Sequence, residues 1–569
     1  MKVSDYVATA LAAYHVPVVF HMPGGMITHL LDSLHCDGQI PLVTMHHEQA
    51  AAFAADAVGR MTGRPAIAMA TSGPGAINLL NGIASCYFDS VPAVFITGQV
   101  NRAECKGSRP VRQLGFQETD IVAMAQPVTK GAWQILDPQA VPAAIQQAFV
   151  FAMSNRPGPV LLDLPMDVQR MDIGTTDVPP LTIPLEQFHF DTVLSQLQQA
   201  LANAERPLIL LGGGIRSACE ADRCREFVEK LRVPVVYSLM GADVLPVGHP
   251  YRVGLIGTYG NRWANYCLAK SDCILVLGSR LDIRQTGAQV DQFTENSTIF
   301  QVDIDAGEVN QRVRGCQAII SSLTAFFDAM LAKKLIPCAC SQWMAVIDMW
   351  RRTNPDTEEL GTCKGIQPNE LMHAIAKASS QAVAFVTDVG QHQMWAAQSL
   401  YPQAHQRILT SGGLGSMGYA LPGAIGASLA TGGAPVVMIA GDGGMQCNLQ
   451  ELQTVVRNRL PLKMLVLDNG SYGMVRQFQQ QYFSGRCVGT RWGYSAPDFV
   501  RVASAYGLPA QTVTEPGAVQ DSLQWLWEDP LSPALLHVGI DVATDIAPKM
   551  AFGKPLTEMD PTREGILVR

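Results

Sequence analysis

Charged side chains are scarce in this sequence: only 16% of its 569 residues are Asp, Glu, Lys or Arg. The formal net charge is −8 and no long basic run is present, so the electrostatic footprint of a nucleic-acid-binding protein is missing. No apolar segment approaches the roughly 20 residues that cross a bilayer. The N-terminus, with Asp5 early and His15 inside its apolar stretch, makes a poor secretory signal. Thirteen cysteines are scattered, odd in number and without paired metal-ligand spacing, and only Cys338 and Cys340 are near neighbours. That pattern argues against a disulfide scaffold or zinc framework and predicts a reduced, cytoplasmic compartment. Short-period repeats and low-complexity tracts are also missing. What the chain does have is apolar residues, 48% of the total, enough to bury surface between domains or subunits. Its length sets a prior of three or four domains.

Two composition breaks divide the chain. GTTDVPPLTIPLEQ, within 173–187, is rich in Pro and Thr and shows neither a helical nor a strand period. The second break, roughly 336–368, contains the polar RRTNPDTEELGT, although the preceding WMAVIDMW could extend a helix. Three α/β blocks result. The first and third each carry a strand ending in a Gly-rich turn before a helix, TSGPG and GDGG, as an ancient duplication would leave. The middle block presents PLILLGGGIRS, CILVLGSRLDIRQTG and TIFQVDIDAGEV. These are apolar strands with Gly or Asp at their carboxyl ends, as doubly wound domains present a nucleotide site. Such turns also serve simply to pack a helix against its sheet.

The densest chemistry lies in Gly441-Asp442-Gly443-Gly444, with Asn469 twenty-seven positions after Asp442. Pro435 to Ala440 reads as a buried strand; Leu449, Leu452, Val455, Val456 and Leu460 then recur at helical spacing. Pro461 stops that helix and Met464 to Leu467 form the next strand. Asp442 and Asn469 therefore stand at the carboxyl ends of two parallel strands, where ligands of open α/β sheets bind. One carboxylate and one amide oxygen suit a magnesium ion that keeps other coordination positions for phosphate oxygens. Gly441, Gly443 and Gly444 let backbone approach a diphosphate closely, with a helix N-terminus behind them.

This arrangement resembles the thiamine-diphosphate motif, GDG followed roughly 25 to 30 residues later by Asn, of a superfamily of decarboxylases and carboligases. By that resemblance Asp442 and Asn469 bind magnesium, the backbone oxygen of Ser471 is a third ligand, and Asp468 stands where a second Asn is usual. Such a cofactor needs an acid to activate its aminopyrimidine. HHEQAAAFAADAVGR offers Glu48, ahead of a helix whose small residues from Ala50 to Ala57 let another element come close. A buried carboxylate bonded to the pyrimidine favours the imino tautomer, whose nitrogen removes the thiazolium C2 proton. Alternatively, Glu48 merely places negative charge in the first turn of its helix.

Longer stretches narrow the resemblance. HHEQAAAFAADAVGRMTGRPAIAMATSGPGAINLLNGIASCYFDSVPAVFITGQV, GFQETD, SNRPGPVLLDLPMDVQ, SRLDIRQTG, GLGSMGYALPGAIGA and DNGSYGMVRQFQ look like the acetohydroxyacid synthase family almost position by position. The resemblance implies an α/β protein of three doubly wound parallel-sheet domains of the thiamine-diphosphate enzyme type. These are a pyrimidine-binding domain over 1–170, a central FAD-binding-like domain over 188–335, and a diphosphate- and magnesium-binding domain over 365–545, with a C-terminal tail over 546–569. The implied cofactors are thiamine diphosphate, Mg2+ and FAD, the flavin without net redox work. Gly212, Gly213, Arg280, Asp282, Asp303 and Asp305 occupy matching positions for the flavin, and Gly24 and Gly25 for the thiamine site. The implied minimal unit is a homodimer in which Glu48 faces the partner subunit's Asp442, pairing further into a homotetramer.

The same resemblance implies decarboxylation of pyruvate and transfer of the two-carbon unit to a second carbonyl. Met417 matches the apolar residue that props thiamine diphosphate in its bent form, and Gln117 a donor to developing oxyanions. Phe116 and Lys130 match residues lining the approach, Met474 lies in the substrate-side GMVRQ segment, and Arg284 matches the arginine that receives a 2-keto-acid carboxylate. Three positions depart from the family. Phe478 replaces a Trp that favours 2-ketobutyrate over pyruvate, Thr258-Tyr259 replaces a Met-His pair, and Met22 replaces a Tyr before PGG. These changes open the acceptor side. Two acceptors therefore stand level: a second 2-keto acid, giving acetolactate, and the keto group of a nucleotide-linked deoxysugar, as used by a related flavin-containing carboligase of the yersiniose pathway. A flavin oxidase of the pyruvate oxidase type and a simple decarboxylase, for which His46 and His47 precede Glu48, are further alternatives.

Overall fold

The computed structural model describes residues 1–563 apart from 175, 185–187, 189–190, 291–292, 294, 296, 362 and 552. Part of the first composition break, and positions 564–569 of the expected C-terminal tail, lie outside the described residues.

Runs such as PLILL, CILVL and VVMIAG are apolar without alternation because both faces of each strand are buried, the situation of parallel sheets covered by helices. They assemble into three six-stranded parallel sheets. Val19–His21, Leu42–Thr44, Ala66–Ala70, Ala93–Gln99, Gly131–Gln134 and Pro159–Pro165, numbered in chain order, lie as 2-1-3-4-6-5. The third sheet, from Ala384–Thr387, Arg407–Leu409, Val436–Gly441, Leu462–Asp468, Ala510–Val513 and Ala534–Gly539, repeats the order 2-1-3-4-6-5. The likeness between the TSGPG and GDGG blocks thus extends to their topology. The central sheet differs: Pro207–Leu211, Val235–Tyr237, Arg252–Leu255, Cys273–Leu277, Thr298–Asp303 and Gln317–Ile320 run 3-2-1-4-5-6, the order of dinucleotide-binding folds.

The small residues after Glu48 are used as expected. A Cβ built on Gly82 would lie 2.2 Å from Ala52 Cβ, and one built on Gly426 would lie 2.2 Å from the Ala54 carbonyl oxygen. The helices Pro74–Asp89 and Ala420–Ala430 therefore both rest almost backbone to backbone on the helix Glu48–Thr62. One apolar core crosses this seam, from Phe20 and Phe53 to Met438 and Val466, and so joins the first sheet to the third. Glu48 opens its helix, which His47 caps by accepting the Gln49 N–H at 3.1 Å.

The single amphipathic helix expected between Asp442 and Asn469 is instead three short pieces, Asp442–Met445, Leu449–Glu451 and Leu452–Arg457. Buried Glu451 explains the break: its carboxylate takes the His46 N–H at 2.9 Å and the Thr454 hydroxyl at 2.7 Å. The segment is committed to the contact with the first unit. Within the second composition break, Ser341–Thr353 is helical and buries Trp343, Ile347 and Trp350.

Candidate active site

Asp442 follows the strand Val436–Gly441, whose Gly441 pairs with Leu467 of the adjacent strand, so Asp442 and Asp468 leave the sheet side by side. Asp442 is 2% exposed and its Oδ2 accepts the Tyr494 hydroxyl at 2.7 Å. Burial and the Asp468 carboxylate push its pKa up to about 7 against that hydrogen bond. Asp468 is also desolvated, yet His537 at 3.0 Å and the Gly470 N–H at 2.8 Å hold its pKa low. Asn469 Oδ1 accepts from the N–H and the hydroxyl of Ser471, each at 3.2 Å, while its Nδ2 donates to Gln391 at 2.8 Å. Asp442, Asn469 and Ser471 are therefore brought together, and their oxygen donors suit a hard divalent cation. The glycines around Asp442 are dictated by crowding. A Cβ on Gly441 would stand 2.9 Å from His392 Nδ1, one on Gly443 2.4 Å from the Tyr472 ring and 3.4 Å from Met417 Cε, and one on Gly444 2.6 Å from Asp388.

The sequence reading missed Gln391 and His392. They open the nine-residue helix Gln391–Ser399 after the strand Ala384–Thr387, at the point where the third sheet reverses its strand order. Burial holds the His392 pKa down to about 4, so the ring is neutral at pH 7, and its buried Nε2 lacks a hydrogen-bond partner among the described residues. An orphaned buried imidazole nitrogen beside a helix N-terminus and the GDGG turn fits a diphosphate oxygen. The available signal was AFVTDVGQ, a further strand-Gly-helix turn in the same block.

A second cluster surrounds Glu48. It is 6% exposed, its Oε2 accepts from Asn78 at 3.0 Å, and its Oε1 stands 3.0 Å from a Cβ built on Gly75. Thr71 packs between Gly75 and Gly24, at 3.0 Å and 2.5 Å from their built Cβ positions, and accepts the Met26 N–H at 3.2 Å. Gly25 faces open space. Gln117 adopts φ 64 and backs onto Gly73, 2.9 Å from a Cβ there. Phe116 is 79% exposed. Lys130 donates to the Ser154 carbonyl at 2.6 Å, and burial lowers its pKa to about 8. Hydrogen bonds among the described residues do not join this cluster to Asp442: Glu48 bonds to Asn78 and Asp442 to Tyr494.

A cavity of about 690 Å³ opens where the strands Pro207–Leu211 and Cys273–Leu277 end, and is lined by Gly213, Arg280, Asp282, Asp303, Thr258 and Arg284 among others. Gly212 and Asp305 are not among its lining residues. Gly212 serves strand packing, since its Cβ would fall 2.2 Å from the Gly278 carbonyl oxygen. Asp305 is paired with Arg156 at 3.2 Å, and Arg156 is the member of that pair that reaches the cavity. Arg284 is exposed, its Nη2 lies 4.0 Å from Met394 Sδ, and it has no carboxylate partner among the described residues. Thr258 fixes it from behind, donating its N–H to the Arg284 carbonyl at 2.7 Å. Tyr259, raised in pKa by burial, senses both Arg284 and Tyr482, which links the cavity to the helix Gly473–Tyr482 that carries Met474 and Phe478. Phe478 is 44% exposed and packs on Tyr482 with ring centroids 4.8 Å apart.

Comparison with known proteins gives the domains and the family of the chain. Residues 1–124, 194–330 and 388–538 match, in turn, the N-terminal TPP binding domain, the central domain and the C-terminal TPP binding domain of thiamine pyrophosphate enzymes. Over 564 residues the chain is 35% identical to the acetolactate synthase isozyme 2 large subunit of Escherichia coli (strain K12), covering 98% of this chain and 99% of that protein. It is 34% identical over 562 residues to the acetolactate synthase large subunit of Lactococcus lactis subsp. lactis (strain IL1403), covering 98% and 95%. The chain belongs to the acetolactate synthase family. As an acetolactate synthase-like, thiamine-diphosphate-dependent enzyme, it carries Glu48 and Gln117 within the N-terminal match and His392, Met417, Asp442 and Asn469 within the C-terminal one. No helix among the described residues is long and apolar enough to cross a membrane.

Proposed function

We propose that the protein decarboxylates pyruvate and transfers the two-carbon unit to a second 2-keto acid, forming acetolactate when that acid is pyruvate. The observation that carries the choice of acceptor is Arg284, an exposed guanidinium at the cavity without a carboxylate partner among the described residues. Its planar fork of donors suits an incoming carboxylate. Thiamine diphosphate, when bound, supplies the electron sink for decarboxylation. Asp442, Asn469 and the Ser471 carbonyl would hold magnesium, and His392 would stand beside the diphosphate. Glu48, oriented by Asn78, holds the proton exchanged with the aminopyrimidine. Met417 would pack against the bound cofactor, and Gln117 would donate to developing oxyanions.

FAD fits the central cavity beside Gly213, Arg280, Asp282 and Asp303, in a role without net redox change. The working unit is a homodimer or homotetramer in the cytoplasm, its pyrimidine-binding, central and diphosphate-binding domains spanning 1–170, 188–335 and 365–545. A second reading is favoured by Phe478, 44% exposed, and by Thr258: the open acceptor side admits the keto group of a nucleotide-linked deoxysugar. Labelled pyruvate, supplied with cofactors and with or without such a sugar, separates the two by mass spectrometry. Acetolactate as the main product in both mixtures supports the 2-keto-acid acceptor, whereas label on the sugar replaces it. A flavin that bleaches during turnover would instead indicate an oxidase.

A further inference from the structure

We infer that Asp388 is the positioning residue that fixes Met417 against the diphosphate-binding turn and so sets the bend of the bound cofactor, an inference that rests on the reading of Met417 given above. Asp388 follows the strand Ala384–Thr387, and its N–H donates to the Ile439 carbonyl at 2.9 Å. Its backbone is therefore fixed to the strand that ends in Gly441. The side chain, 1% exposed, accepts three backbone N–H groups: Oδ1 takes Val389 at 2.8 Å and Gly418 at 2.9 Å, and Oδ2 takes Ala420 at 2.9 Å. Gly418 is the residue after Met417, and Ala420 opens the helix Ala420–Ala430, whose N-terminus favours a carboxylate. The same Oδ1 presses on the diphosphate-binding turn, 2.6 Å from a Cβ built on Gly444. One carboxylate thus fixes both the segment that carries Met417 and the turn that Met417 faces.

The rest of that segment is held from other directions. Asn448 donates to the Gly418 carbonyl at 2.7 Å, the Ser416 hydroxyl donates to Asn81 at 2.6 Å, and the Tyr419 hydroxyl donates to Asp56 at 2.8 Å. Met417, secured on both flanks, brings its Cε to 3.4 Å from a Cβ built on Gly443. A carboxylate is specifically required at 388. It has acceptors on both oxygens, whereas an amide turns an NH2 toward either Gly418 and Val389 or Ala420 and leaves donor facing donor.

The test compares wild type, Met417→Ala and Asp388→Asn, each as full-length protein loaded with thiamine diphosphate and Mg2+. The readouts are the near-ultraviolet circular dichroism of the bound cofactor, its calorimetric Kd, and kcat and KM for pyruvate. Both variants are expected to bind the cofactor within about threefold of wild type and to lose its dichroic signature. Their kcat should fall about 100-fold, the scale of a small misplacement of reacting groups, while KM moves less than threefold. A merely structural role would lower the melting temperature and the loaded fraction but leave kcat per bound cofactor unchanged, and that result would overturn the inference. Asp388→Asn with a wild-type signature and kcat, beside a defective Met417→Ala, would overturn the role of Asp388 alone. A wild-type Met417→Ala would remove the reading of Met417 and the inference with it. Should Asp388→Asn fail to fold, Asn448→Ala releases Gly418 at its carbonyl, in the next peptide along, and is judged by the same outcomes.

Discussion

The Tyr494 hydroxyl donates to Asp442 Oδ2 at 2.7 Å, so the expected magnesium ligand is oriented by a residue fifty-two positions further along the chain. That bond offsets the crowding of two carboxylates, because Asp468 stands beside Asp442 and raises its pKa. Partners behind a metal ligand typically contribute tenfold to 100-fold in affinity. Tyr494→Phe is therefore expected to raise the half-saturating Mg2+ concentration by about tenfold, measured by titrating Mg2+ into metal-free protein with thiamine diphosphate present. An unchanged midpoint would dismiss Tyr494 from the site.

The contact between Gly426 and Ala54 has no room for a methyl group, since a Cβ would come within 2.2 Å of a carbonyl oxygen that cannot rotate away. Overpacking of this kind costs about 1–3 kcal/mol or more. Gly426→Ala should lower the melting temperature markedly and weaken thiamine diphosphate binding, because the displaced helix is the one that begins with Glu48. A variant that melts with the wild type would contradict the packing described.

These two relationships mark how far the sequence could be read. The strand before GDGG and the close helix approach at Ala50 to Ala57 were legible, since an unbroken apolar run and a run of alanines each have one common structural use. Tyr494 was not, because its partner is set by tertiary folding and its neighbours show no period. Gln391 and His392 escaped for a different reason: every residue of Gln391–Ser399 is buried, so the helix shows no amphipathic face, and its polar residues look arbitrary until the turn they face is known. The helix read between Asp442 and Asn469 is broken by the pull of His46 on Glu451, a contact between distant parts of the chain. Gly212 and Asp305 matched a pattern whose neighbours, Gly213 and Arg156, are the ones that reach the cavity.

Two buried histidines make the cofactor-free protein sensitive to acid. Burial depresses the pKa of His21 and of His392 to about 4, with Arg457 adding to the effect at His21. Below about pH 6.5 the unfolded chain takes up protons that the folded chain refuses, so stability falls as pH drops from about 6.5 to 4, by up to about 3 kcal/mol for each residue. Thermal midpoints at pH 7.5 and pH 5 should fall less for His21→Gln than for wild type. Equal falls would contradict the assignment.

Phe478 stands on the acceptor side with 44% of its surface exposed. Phe478→Trp restores the residue typical of the acetohydroxyacid synthase pattern and should shift competition between acceptors toward 2-ketobutyrate by about tenfold, the scale of one added apolar contact in a pocket. The product ratio from mixed 2-ketobutyrate and pyruvate measures it, and an unchanged ratio would place acceptor selection elsewhere.

The most direct test of the account is hydrogen–deuterium exchange at C2 of bound thiamine diphosphate in wild type and Glu48→Gln, with carbon dioxide release from pyruvate followed in parallel. If Glu48 activates the aminopyrimidine, the variant binds the cofactor yet exchanges C2 hydrogen, and releases carbon dioxide, at least about 100-fold more slowly. Exchange and release at the wild-type rate would contradict the assignment of this site.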